Sequence, residues 1–420
     1  MLTNALRAPA RRYELPNHAL RQLWVICTVL LAAPWLFIAN TLAQAPNPSG
    51  AATSATQASG ASGPAVAIQT QASHLFILDP IRKQALYCLR CDEPMPPASM
   101  SKLMTMLIVM EKVKDGSISM DTEFTVSEKA WRLGAQSDGS HMFLELGSKV
   151  KVSDLVQGVI VVSANDACIV LAEGIAGTED AFVALMNMRA KELGLSSASF
   201  RNVTGLPDPQ HLISARDLAS IANLIMTNHP DTYRFYSERS FTYNNHTQEN
   251  RNPLLGAFEG ADGVKTGHTE VSGFGLVGSA SRNGERRIIV VNGLLSKANR
   301  SAEANRLMRI AFSEFKSYAL FDAGEIVGEA PVWLGSKDKV TLQTAAPIGV
   351  SMHISQRSQM RVRVVFDAPI PAPIAQGAIV GKLVVDIPGI EPKTFPLVAT
   401  KAVPKMGMLG RAIFAATHSQ

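Results

Sequence analysis

Pro96-Pro97-Ala98-Ser99-Met100-Ser101-Lys102-Leu103-Met104-Thr105-Met106-Leu107-Ile108-Val109-Met110 is the stretch on which the reading of this chain turns. The prolyl pair interrupts whatever precedes it and is compatible with a helix start. From Ala98 to Val113 the apolar residues surround the helix instead of striping it, so a buried helix is expected. Ser99 and Lys102 then lie one turn apart on the same face. Burial disfavours an ammonium, and the positive end of the helix disfavours it further, so the pKa of Lys102 should fall. A lysine that gives up its proton beside a serine hydroxyl is a general base, and the serine becomes an acylating nucleophile. The spacing alone carries little: Ser148 and Lys151, Ser313 and Lys316, and Ser336 and Lys339 repeat it. Most such pairs are a capping serine and a lysine reaching for water. The buried helix start is what singles out Ser99.

Upstream, two alternating runs, Ala72 to Leu78 and Gln84 to Leu89, flank Asp79-Pro80 and read as a β-hairpin. Downstream, helical patterns occupy Val152 to Val161, Ala167 to Ile175, Glu179 to Leu193 and Ala215 to Thr227. Strand-like runs at Gly273 to Ser279 and Arg287 to Asn292 follow, and then a helix near Ala302 to Phe315. Strands, many helices, then strands again indicate one α/β unit whose sheet is assembled from both ends of the segment. Beyond Asp322 short alternating segments separated by Gly and Pro indicate a small all-β domain.

The N-terminus carries arginines, an apolar stretch from Leu23 to Ala39 and Thr41-Leu42-Ala43, a small-residue exit site. The expected organisation is a signal peptide at 1–43, a low-complexity linker at 44–68, a catalytic unit at 69–321, a β-rich unit at 322–403 and an amphipathic segment at 404–420. An uncleaved anchor helix is the alternative for the leader. Either one exports the rest of the chain. The terminal segment, with Leu409, Ala412, Ile413 and Ala416 at helical spacing, is a weak candidate for lying on a membrane.

The formal charge of +5 owes +3 to Arg7, Arg11, Arg12 and Arg21 against Glu14, which leaves about +2 and no case for a nucleic-acid partner. Cys88 and Cys91 form one C-x-x-C with no second Cys or His pair to complete a zinc site, so a local disulfide or two thiols is expected. Cys168 reads as a buried small apolar residue. No metal and no cofactor is implied.

Two polar interruptions complete the set. Ser163-Ala164-Asn165 breaks apolar sequence before a helix, where Ser and Asn are also ordinary caps. Lys265-Thr266-Gly267-His268 occurs once, in what reads as an edge strand. Lys265 and Thr266 suit a carboxylate, and Gly267 would let an extended substrate backbone come close.

Taken in order, Pro97 to Lys102, Ser163 to Cys168, Ser214-Ala215-Arg216-Asp217 and Asp262 to Thr269 resemble low-molecular-mass penicillin-binding proteins of the D-alanyl-D-alanine carboxypeptidase type. The resemblance implies a β-lactamase/transpeptidase-like domain, an antiparallel five-stranded sheet flanked by helices. It implies that Ser99 attacks the penultimate D-alanine of peptidoglycan pentapeptide stems while Lys102 takes its proton. Ser163 would relay a proton to the leaving amine and Asn165 hold the substrate amide. Backbone N–H groups of Ser99 and His268 would form the oxyanion hole, and Lys265, Thr266 and Arg216 bind the terminal carboxylate. β-Lactam antibiotics would be covalent inhibitors, and the enzyme would work in the periplasm. The rivals are a D,D-endopeptidase, a class A β-lactamase, for which no Glu-x-x-x-Asn loop is found between Ser163 and Lys265, and a non-catalytic wall-binding scaffold.

Overall fold

The computed structural model describes residues 11–15, 66–136, 140–408 and 410–411. Most of the 1–43 leader, nearly all of the 44–68 linker and residues 412–420 of the terminal segment lie outside the described residues. The described part of the leader, Arg11–Leu15, pairs with Arg361–Phe366. No helix among the described residues is long and apolar enough to cross a membrane.

Strand alternation explains how the first unit is covered. Its five-stranded antiparallel sheet comprises β1 (His74–Asp79), β2 (Gln84–Leu89), β3 (Ala261–Thr269), β4 (Gly273–Arg282) and β5 (Glu285–Leu294) in the order β2-β1-β5-β4-β3. Successive side chains of a strand face opposite ways. Ile288 and Val290 of β5 enter one apolar core, and Ile289 and Val291 enter a second on the other face. With both faces buried, β5 reads as a continuous apolar run.

The larger core receives α1 (Lys102–Lys114), α2 (Glu128–Gln136), α3 (Val152–Val161), α4 (Asn165–Ala176), α5 (Glu179–Glu192) and α6 (Ala215–Asn228). The other face receives α7 (Lys297–Ser313) through Ala304, Leu307, Met308 and Ala311. Every residue of α1 from Lys102 to Met110 is buried, as its all-round apolar pattern requires. Lys112 and Lys114 then face the negative end of the helix, and Gly116 turns the chain away at φ +80°. Ser214 caps α6 by accepting from Asp217 N–H, and Ser296 caps α7, which begins five residues earlier than its apolar pattern indicates.

The second unit is all-β. A seven-stranded sheet includes Ile326–Trp333, Lys339–Thr344, Arg361–Phe366, Ile379–Ile387 and Ile390–Ala399. Its boundary is less simple than a single cut at 322: the chain divides into Val66–Ala319 with Gly349–Arg357 on one side, and Leu320–Ile348 with Ser358–Gln420 on the other. The strand Ile348–His353 returns to pair with Phe315–Phe321. Polar contacts rather than periodicity hold this return. Fully buried Asp79 accepts from Ser351 Oγ at 2.6 Å and from Arg82 Nη1 at 3.1 Å, with Arg287 Nη1 at 3.5 Å. Gln84 donates to the Ser351 carbonyl at 2.7 Å and accepts its N–H at 3.0 Å.

Removing one partner of a buried charge network strands the others. Asp79→Ala is therefore expected to lower unfolding free energy by about 3–5 kcal/mol. A urea midpoint unchanged from wild type would refute the role given to this carboxylate.

Candidate active site

Ser99 lies in a single 3-10 turn, Ala98–Ser101, that leads directly into α1. Residues three apart eclipse in such a turn, so Lys102 stands over Ser99 with Nζ 2.8 Å from Ser99 Oγ. The same Nζ donates to Asn165 Oδ1 at 2.8 Å and to the Thr204 carbonyl. An ammonium has three N–H bonds for these three acceptors. The neutral amine keeps two donors and has a lone pair for the serine proton. Lys102 is 0% exposed, and burial brings its pKa down to about 8; nearby Cys168 opposes the shift and Arg251 adds to it.

The approach of this turn to the sheet needs two glycines. Gly267 on β3 and Gly275 on β4 are cross-strand partners. A Cβ at Gly267 would sit 2.7 Å from the Pro97 carbonyl oxygen, and one at Gly275 would sit 2.6 Å from Met100 Cε. The missing side chain of Gly267 therefore makes room for the turn that carries Ser99. Asn292 on β5 donates to the Pro96 carbonyl at 3.1 Å and fixes the loop from below. Ala98 adopts a left-handed φ of 49° just before Ser99, a conformation that costs about 1 kcal/mol outside glycine.

Ser163 also holds a left-handed backbone, φ 64°, and its Oγ accepts from Lys265 Nζ at 2.9 Å. Lys265 is buried, and burial, reinforced by the charge of Lys102, lowers its pKa well below the ordinary lysine value. Asn165 opens α4, where its backbone N–H donates to the Ser140 carbonyl at 2.7 Å. Thr266 is buried on β3, the edge strand of the sheet, and exposed His268 stacks on Phe274 with ring centroids 3.8 Å apart. Cys168 behaves as expected of a buried structural residue, its thiol pushed up by burial to about 12.

Arg216 is placed elsewhere. Its guanidinium is held by Asp92, with Nε–Oδ1 at 2.5 Å, contacts Cys91 of the Cys88–Cys91 disulfide and covers the Phe76 ring. The resemblance made it a candidate carboxylate ligand; in the structure the N-terminal turn of α6 docks on that disulfide loop, Arg216 N–H donating to the Cys91 carbonyl at 3.0 Å. The arginine that does belong with the cluster is Arg251. It donates to Ser140 Oγ at 2.9 Å, beside the carbonyl that receives Asn165, and its charge bears on both Lys102 and Lys265. Arg300 stands behind it, buried, over the Phe274 ring, with its pKa lowered to about 10 by burial and by Arg251. Arg251 was hidden in Asn250-Arg251-Asn252, a short polar stretch with no periodicity. Thr204 was hidden because it acts through its backbone; Asn202 Oδ1 turns it by accepting the N–H groups of Thr204 and Gly205.

Comparison with known proteins places the chain in a family. The D-alanyl-D-alanine carboxypeptidase family model matches residues 57–294, and that of the C-terminal domain of penicillin-binding protein 5 matches 315–405. The chain is 35% identical over 346 residues to D-alanyl-D-alanine carboxypeptidase DacA of Haemophilus influenzae, covering 82% of this chain and 88% of that one. It is 37% identical over 319 residues to DacD of Salmonella typhimurium, covering 75% and 82%. The crystal structure of penicillin binding protein 5 from Haemophilus influenzae superposes with a TM-score of 0.71 at 35% identity, covering 81% of this chain and 99% of that one. Matches that extend through both units make this chain a member of the D-alanyl-D-alanine carboxypeptidase family, a serine peptidase.

Proposed function

We propose that Ser99 is the acylating residue and that the chain removes the terminal D-alanine from peptidoglycan pentapeptide stems. The observation that carries this reading is the fully buried Lys102 ammonium group hydrogen-bonded to Ser99 Oγ. Ser99 Oγ gives its proton to Nζ and forms an ester with the penultimate D-alanine carbonyl. The Ser99 and His268 backbone N–H groups take the developing oxyanion, the usual large term in acyl transfer. The C–N bond breaks, and the leaving D-alanine amine takes, by way of Ser163, the proton that Lys102 had accepted, while Lys265 holds the Ser163 hydroxyl in place. Water then adds to the ester carbonyl as Lys102 accepts its proton, and Ser99 Oγ leaves with that proton from Lys102.

Four basic groups gather in this region: burial lowers the pKa of each, Arg251 adds to the lowering of Lys102, Lys265 and Arg300, and Lys102 and Arg300 add to that of Lys265. Such a field favours a substrate that ends in a carboxylate. We assign the direct contact to Thr266, Lys265 and Arg251. β-Lactams acylate the same serine in this reading. Asp166, a carboxylate near Lys102, is committed to the N–H groups of Met142 and Ala167 and is not positioned as a base for rapid drug hydrolysis. The leader-like 1–43 segment and the Cys88–Cys91 disulfide support export to an oxidising compartment, the periplasm. The segment 404–420 is assigned to the membrane surface on its amphipathic pattern alone.

Labelling with a reporter penicillin and mapping the adduct tests the nucleophile. The label should persist and should fall on Ser99; an adduct on another serine would overturn the mechanism. The base is tested by pH. Neutral Lys102 is the reactive form, so acylation should rise as pH rises through about 8 and level off above it, falling about tenfold per unit on the acid side. Lys102→Arg, which stays charged, should lose acylation by a factor of about 10³. The two arginines are separated by kinetics: Arg251→Ala should raise KM for D-alanyl-D-alanine peptides about tenfold or more. Arg216→Ala should stay within about twofold of wild type. The reverse pattern would restore Arg216 as the carboxylate ligand.

A further inference from the structure

The Cys88-x-x-Cys91 pair and Arg216 take no part in the steps above, yet the fold brings them together. Cys88 lies near the end of β2, and Cys91 follows a turn in which Arg90 holds a left-handed φ of 49°. The two ends of their disulfide differ in surroundings. Cys91 is 0% exposed and packs in the larger core, whereas Cys88 is half-buried and keeps surface open to solvent. An attacking thiolate therefore reaches the bond from the Cys88 side.

The polar groups favour the same direction. Arg216 Nη2 donates to Cys91 Sγ at 3.3 Å, and a cationic donor on one sulfur stabilises the thiolate that forms there. The Asp92 carboxylate lies 3.5 Å from Cys91 Sγ and 3.9 Å from Cys88 Sγ, within reach of the S–H groups of a reduced pair. Arg216 binds this carboxylate through Nε at 2.5 Å and Nη2 at 3.0 Å and holds its pKa below the usual carboxylate range. Exchange rates depend on which sulfur is attacked and on how well the other one leaves as a thiolate. Access selects Cys88 for attack, and Arg216 selects Cys91 for departure.

We propose that Cys88–Cys91 is a thiol–disulfide exchange site, entered at Cys88 by a dithiol reductant, with Arg216 receiving the Cys91 thiolate. The incoming thiolate bonds to Cys88 Sγ as the Cys88–Cys91 bond breaks, and the electron pair stays on Cys91. The second thiolate of the reductant then attacks its own sulfur in the mixed disulfide and expels Cys88 as a thiolate. The two protons given up by the dithiol end on the two cysteines, where Asp92 accepts from S–H, and the reductant leaves as a disulfide. Two hydrogen bonds of 3.1 Å between Met95 and Ile213, together with Asn292 on the Pro96 carbonyl, hold the chain between Cys91 and Ser99 without help from the disulfide. Exchange can therefore run on the folded protein.

The test treats the folded full chain with glutathione, a monothiol that stops at the mixed disulfide, quenches with iodoacetamide and sequences the peptide holding both cysteines by mass spectrometry. Glutathione is expected on Cys88 and the alkyl group on Cys91; glutathione on Cys91 would overturn the proposal. The rate of reduction by dithiothreitol should fall about tenfold in Arg216→Gln, the worth of one hydrogen bond to a charged group. Arg216→Lys should recover part of that loss. Equal rates in wild type and Arg216→Gln would remove the part given to the arginine. Near-ultraviolet circular dichroism of the reduced wild type should stay native. A signal lost in step with reduction would mean that the sulfurs are reached only by unfolding, and would sink the site even where Arg216→Gln does not fold.

Discussion

A lysine ammonium with no exposed surface sets the terms for the rest of the catalytic unit. Lys102 cannot be left there without acceptors, because an unpaired buried charge costs several kcal/mol. Its acceptors come from three places far apart in sequence: Ser99 on the preceding turn, Asn165 at the start of α4 and the Thr204 carbonyl in a loop. Each of those groups is fixed in turn, Ser99 by the glycine pair beneath it, Asn165 by Ser140, and Thr204 by Asn202. One buried nitrogen thus ties helix, loop and sheet edge into a single geometry, that of the candidate active site.

The same region accepts strain for function. Basic groups crowd here: Arg251 bears on Lys102, Lys265 and Arg300, Lys102 and Arg300 bear on Lys265, and burial weakens the screening by water. Ala98 and Ser163 hold left-handed backbones next to the reacting groups. Arrangements of this kind lower stability in the empty enzyme and are relieved by an anionic substrate, a common compromise between stability and activity. The wide apolar cores on both faces of the sheet offset that cost.

Much of the fold was legible because it rests on local pattern. Alternation marked β1 and β2, the all-round apolar run marked α1, and short alternating segments marked the C-terminal unit. The helix at Lys297–Ser313 began earlier than expected because Ser296 caps it before its apolar residues start. The return of Gly349–Arg357 to the first unit could not be read, since Ser351 looks like any other strand residue until Asp79 is placed beside it.

Residue types and their order were enough to mark Ser99, Lys102, the Ser163–Asn165 pair and the Lys265-Thr266-Gly267-His268 strand as candidates, and the fold brings Lys102 to Ser99 and Asn165 and Lys265 to Ser163. Choosing between Arg216 and Arg251 was a different matter. Both are arginines, and only the packed chain shows that Asp92 engages one while the other stands by Ser140 and near Lys102 and Lys265. The purpose of Gly267 and a backbone acceptor at Thr204 likewise depend on contacts between distant segments. Electrostatics and close approach act through space, so these were decided only by the tertiary structure.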